Sequence, residues 1–153
     1  MVTPATAMMR IYLDAGCLQR PLDDQTHPRI RVETEAVLAV LASVQAGEIR
    51  TISSEALEYE ISRIPDDSRR YAAMTLLSLA DERLMVSQTV ESLAETLERQ
   101  GIHPMDALHL ALASEQSADY FVTCDDALLC KARQSELSCR PTSILELLLE
   151  LNP

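Results

Sequence analysis

The chain is poor in aromatic side chains and in lysine. Tryptophan is absent, Phe121 is the single phenylalanine, and tyrosine occurs four times among 153 residues. A core built from this sequence is therefore aliphatic. Glycine occurs only as Gly16, Gly47 and Gly101, each at a break between predicted elements, and no linker, internal repeat or low-complexity tract is visible. The four cysteines, Cys17, Cys124, Cys130 and Cys139, show no CxxC spacing, which excludes a zinc pattern; most sit in apolar contexts and read as small core residues. No apolar run approaches the roughly 20 residues that a membrane-spanning helix needs. The opening Met1–Met9 segment is too short and too weakly apolar for a signal peptide, so the expectation is a cytoplasmic protein with no membrane partner.

Positive charge is also scarce. Lys and Arg total 13 against 24 Asp and Glu, a formal net charge of −11. A nucleic-acid partner ordinarily wants a basic footprint, so the bulk charge argues against one. Two features weaken that objection. All the cations but Lys131 are arginine, the better partner for phosphate. Part of the acidic surplus would also belong to a metal site.

What is present is an ordinary globular composition, 47% apolar and 24% charged, in a chain long enough for one domain with a real core. Residues 10–14 read as a short buried strand ending on Asp14. Residues 16–29, with Gly16, Pro21, Asp23-Asp24 and Pro28, read as a turn-rich connection. Val32, Ala36, Val37, Val40, Leu41 and Val44 recur at helical spacing between about Ile30 and Ala46, and Gly47 is a natural stop. Residues 49–52 alternate as a strand. Ser54 caps a helix that Pro65 ends. Asp66 or Asp67 caps the next, with Tyr71, Met74, Leu77 and Leu79 on its apolar positions.

Leu84-Met85-Val86 reads as a strand, Val90 to Gln100 as an amphipathic helix, and Pro104 as the first turn of a helix. Residues 120–123 read as a strand and 125–134 as a helix, and Pro141 as the start of a leucine-rich last helix over 144–151. Short strands alternating with longer helices imply a parallel sheet wrapped by helices, the α/β class.

Four acids stand out against this pattern: Asp14, Glu60, Asp106 and Asp125. Asp14 closes the first strand and Asp125 follows the strand over 120–123, and strand carboxyl ends are where open α/β sheets hold ligands. Converging carboxylates repel one another unless a hard divalent cation such as Mg2+ or Mn2+ lies between them. Each acid alone has a simpler reading: Asp106 as an early-helix carboxylate favoured by the dipole, Asp125 as an N-cap. His109, three residues after Asp106, reads more simply as a packed histidine than as a ligand, and Arg20, Arg29 and Arg31 as solvent-exposed charge. Glu55, Glu58 and Glu60 all remain candidates for the glutamate; Glu60 is favoured, being three residues from Leu57 and next to Ile61 at the edge of the buried stripe.

Taken together, the segments Ile11–Asp14, Ser54–Ile61, Ile102–Ala111 and Asp119–Asp126 resemble PIN-domain ribonucleases, most closely VapC-type toxins of bacterial toxin–antitoxin pairs. They occur in the order of that family and span nearly the whole chain. The resemblance implies a three-layer α/β/α PIN-like fold with a short parallel sheet flanked by helices, occupying residues 10–153 after an N-terminal extension over 1–9. It implies an endoribonuclease in which Asp14, Glu60, Asp106 and Asp125 hold one or two Mg2+ or Mn2+ ions, leaving 5′-phosphate and 3′-hydroxyl ends. An RNA substrate, a cognate antitoxin and a homodimer are the partners it implies, with the leucine-rich tail and the region of Tyr71, Leu76 and Leu77 as candidate faces. Ala15-Gly16 departs from the family, which usually carries a hydroxyl residue and then Asn or Ser; a PIN-like module that binds RNA or protein without cutting is the alternative. An aspartyl-phosphate phosphatase is disfavoured, because the position two residues after Asp14 is Gly16.

Overall fold

The structure is a computed structural model that describes residues 8–151. Apart from Met8 and Met9, the expected N-terminal extension lies outside the described residues.

Five strands form one all-parallel sheet: β1 (Arg10–Leu13), β2 (Arg50–Ser54), β3 (Glu82–Leu84), β4 (Tyr120–Thr123) and β5 (Arg140–Ser143), in the order β3-β2-β1-β4-β5. Strands buried on both faces read as continuous apolar runs, and Ile11, Tyr12 and Leu13 of β1 and Phe121 and Val122 of β4 are all buried. Tyr12 stacks on Phe121, ring centroids 5.8 Å apart, and aliphatic side chains fill most of the rest of the core.

Among the described residues, eight α-helices connect and flank the strands, giving the expected three-layer α/β/α arrangement: α1 (Ala15–Gln19), α2 (Pro28–Gln45), α3 (Glu55–Ser62), α4 (Asp67–Leu77), α5 (Gln88–Arg99), α6 (Pro104–Glu115), α7 (Asp126–Arg133) and α8 (Ile144–Leu151). Side-chain oxygens cap several of them, each accepting from an otherwise orphaned helix N–H: Ser54 from Leu57, Asp66 from Arg69, Ser87 from Val90. α5 packs on α6, and α2 on α8.

The chain runs from β1 outward through β2 to β3, then returns to lay β4 on the other side of β1 and β5 beyond it. The direction of winding therefore reverses between β1 and β4. The carboxyl ends of these two strands flank the switch-point crevice.

Several details differ from the sequence reading. The stretch over 16–29 is not all turn: α1 and a 3-10 turn, Arg20–Leu22, occupy its first part, because Asp14 caps a helix at once. Pro141 lies in β5 rather than opening a helix; β5 is an edge strand, where a proline's missing N–H is tolerated. The third strand ends at Leu84 instead of running to Val86. On α2, Val32 is exposed while Glu33 is buried, its carboxylate 3.1 Å from Arg20 Nη2 and 3.5 Å from Arg29 Nε.

Candidate active site

Asp14 follows directly on β1. Its N–H continues the strand pairing by donating to Val122 O at 3.0 Å, and its carboxylate accepts from the Cys17 N–H at 2.8 Å as the α1 N-cap. The same local logic operates across the switch point. After β4 the Asp125 N–H donates to Thr123 Oγ1 at 3.0 Å, and the Asp125 carboxylate caps α7 by accepting from Leu128 N at 3.1 Å. Asp106 comes from the first turn of α6, which Pro104 opens. One cleft of about 440 Å³ is lined by Asp14, Asp106 and Asp125 together with Gly16, Arg20 and Arg69. A larger concavity, about 850 Å³, lies along β5 and the start of α8. It lies away from the switch point, which the smaller cleft adjoins.

Electrostatically the cleft is strained towards neutrality. Burial raises the pKa of Asp14, opposed by a hydrogen bond from Thr123, the Cys17 amide and the positive influence of His109. Burial also raises Asp106, and the charges of Asp14 and Glu60 push it the same way, against His109 and His103. Burial thus disfavours the charged form of both carboxylates.

Glu60 does not line the cleft but lies within electrostatic reach of Asp106, its Oε2 3.4 Å from His109 Nε2. The other two glutamates are engaged elsewhere: Glu55 accepts from Val86 N at 2.7 Å, and Glu58 makes a two-pronged pair with Arg83 at 2.7 and 2.9 Å. His109 is fully buried and bonded to Tyr12, His103 caps α6, and His27 stands exposed near Asp24.

Three carboxylates line the cleft, and such oxygen donors suit a hard divalent cation. Among the described residues, no three acidic, histidine or cysteine groups stand close enough to enclose an ion as they are placed. The chemistry of the donors fits such an ion; closure around it would require the side chains to move together.

Two arginines share the rim with these acids. Arg20 pairs with Asp23 at 3.0 Å, and Arg69 reaches from α4 to bond Gln19 Oε1 and the Leu22 carbonyl, both at 2.9 Å, as well as Asp23. Sequence reasoning missed Arg69. No local pattern could have exposed it, since packing of α4 against α1 is what delivers it to the cleft. Arg29 is paired with Asp126 at 2.8 Å.

No protein-family profile and no curated protein matches the sequence. Solved structures do. The VapBC2 complex of Rickettsia felis, bound to a DNA fragment from its promoter, contains a chain that aligns over 88% of this one and 98% of its own length, with a TM-score of 0.57 and 14% identity. PAE2754 from Pyrobaculum aerophilum aligns over 94% and 89%, with a TM-score of 0.56 and 17% identity. The fold is accordingly the PIN-like three-layer α/β/α fold, shared with these structures. No helix among the described residues is long and apolar enough to cross a membrane.

Proposed function

We propose that the switch-point cleft is the active site of a metal-dependent endoribonuclease, the toxin half of a toxin–antitoxin pair. The observation that carries this reading is the meeting of Asp14, Asp106 and Asp125 in one cleft, where burial raises the pKa of Asp14 and Asp106. These three, with Glu60, would hold Mg2+ or Mn2+. Such an ion would supply an activated water and offset charge developing on the phosphate and the leaving oxygen.

The chain's own residues do the positioning. The Cys17 amide fixes the Asp14 carboxylate, and the Leu128 amide fixes that of Asp125. Arg20 and Arg69 stand where a phosphate backbone would enter, each already sharing Asp23. The partner of the Rickettsia felis structure supports a VapB-type antitoxin for this chain, and exposed Leu149 and Tyr71 offer apolar contact for it or for a second copy. A cytoplasmic location and a single domain from residue 10 onward complete the proposal.

The test is RNA cleavage by purified protein with Mg2+ or Mn2+, wild type against Asp14→Asn and Asp106→Asn. Cleavage lost in both variants and in chelator supports the nuclease; cleavage that persists in them overturns it. The spacing of the acids favours one second reading, a module that binds RNA without cutting. Retention of RNA by the wild type with no cleavage under either metal would select it.

A further inference from the structure

Cys17 and Cys124 meet at the edge of the acidic cleft, Sγ to Sγ 3.4 Å, both as free thiols. Cys17 lies in α1, fully buried, its thiol also directed at Val122 O at 3.6 Å. Cys124 is half-buried in the turn between β4 and α7 and lines the cleft. The two sulfurs therefore differ in access: one opens to whatever enters the cleft, the other waits behind it. The remaining cysteines have no such arrangement, since Cys130 is exposed and Cys139 buried.

We propose that Cys124 and Cys17 form a peroxide-reactive dithiol, with Cys124 as the attacking sulfur and Cys17 as the resolving one, that closes into a disulfide across the cleft edge. The Cys124 sulfur attacks one oxygen of hydrogen peroxide; an S–O bond forms, the O–O bond breaks, and the departing hydroxide takes the thiol proton and leaves as water. The Cys17 sulfur then attacks the Cys124 sulfur of the sulfenic acid; the S–S bond forms, the S–O bond breaks, and the hydroxyl leaves with the Cys17 proton as a second water. Two thiols lose two electrons and one peroxide gains them. Geometrically the sulfurs need to close from 3.4 Å to about 2.05 Å. That movement is small for a half-buried turn.

The consequence falls on the acids. Asp14 caps the helix that carries Cys17, and Asp125 is the neighbour of Cys124. A bridge ties together the two segments that carry these carboxylates, and removes the freedom they need to draw in around an ion. Oxidation thus weakens metal binding; this consequence rests on the metal reading of the cleft, whereas formation of the bridge does not.

The experiment oxidises Cys130→Ser protein, which lacks the exposed thiol, with hydrogen peroxide, alkylates residual thiols and maps the digest by mass spectrometry. The expected result is a linked Cys17–Cys124 peptide two hydrogens lighter than its parts, abolished by dithiothreitol, with a dimedone-trapped sulfenic acid at Cys124 when Cys17→Ser is added. Folded protein in which both cysteines are fully alkylated overturns the proposal, as does one in which Cys124 proceeds to the sulfinic acid beside an alkylated Cys17. Manganese titration of the oxidised and reduced forms reads the consequence: affinity lower by about tenfold after oxidation is expected, and equal affinity overturns it. Protein that binds no manganese in either form counts against the metal reading of the cleft, with the bridge still judged by mass.

Discussion

The Tyr12 hydroxyl lies 2.6 Å from Nδ1 of His109 and 2.7 Å from Ser54 Oγ, joining the central strand β1 to α6 and to the cap of α3. The Leu57 N–H occupies one acceptor position of Ser54 Oγ at 3.0 Å. On the other side of the ring, His109 Nε2 lies 3.4 Å from Glu60 Oε2. The elements that carry Glu60 and Asp106 are thus tied to one another beneath the cleft by a buried polar chain.

Removing the centre of that chain should loosen the whole. Tyr12→Phe keeps the ring against Phe121 but strands the buried Nδ1 of His109. The expected loss is about 1–3 kcal/mol of stability, read as a lower urea midpoint with an unchanged slope.

The acidic cleft should make the metal-free protein more stable as pH falls below neutral. The folded-state pKa values of Asp14 and Asp106 lie above their ordinary values, so between the unfolded and folded values the folded state binds more protons. Stability therefore falls as pH rises through that window, and the full penalty stands above it. Glu58 and Asp126 are lowered by Arg83 and Arg29; their contributions are present above the unfolded value and vanish as pH falls through the folded one. Thermal melts in chelator should rise as pH falls through the raised folded-state values of Asp14 and Asp106, and drop at lower pH. Asp106→Asn should flatten the first limb and raise the melting temperature at neutral pH. An unchanged first limb in that variant would contradict the assignment.

Gly16 should show stability and binding moving in opposite directions. A Cβ there would meet Asp14 Oδ1 at 3.3 Å, while alanine in a helix is favoured over glycine by up to about 1 kcal/mol. Gly16→Ala is expected to leave melting temperature equal or higher and to weaken manganese binding, by about tenfold, because the methyl presses on the carboxylate. Calorimetry on the same sample reads both.

Much of this was legible in the sequence. The apolar run Ile11-Tyr12-Leu13 and the strand over 120–123 placed two acids at the carboxyl ends of strands, which the structure pairs as neighbours, and Ser54, Pro104 and Gly101 bounded their helices where the structure has them. β5 was not legible, because Arg140-Pro141-Thr142-Ser143 lacks the apolar run that marks a buried strand and gains its order only from pairing with β4. The burial of Glu33 was not legible either, since it depends on Arg20, which the first turns after β1 deliver. The Cys17–Cys124 contact likewise joins positions far apart in sequence through the β1–β4 pairing. Tyr71 was placed on an apolar stripe and is exposed instead, since α4 buries only Ala73 and Leu77.

Manganese binding to the reduced, purified protein, followed by EPR titration of wild type against Asp106→Asn, tests the central claim most directly and needs no knowledge of the RNA. The expected result is a saturable site in the wild type that weakens sharply in the variant. Absence of a saturable site in the wild type, or equal binding by the two proteins, would contradict an acidic metal centre at the switch point.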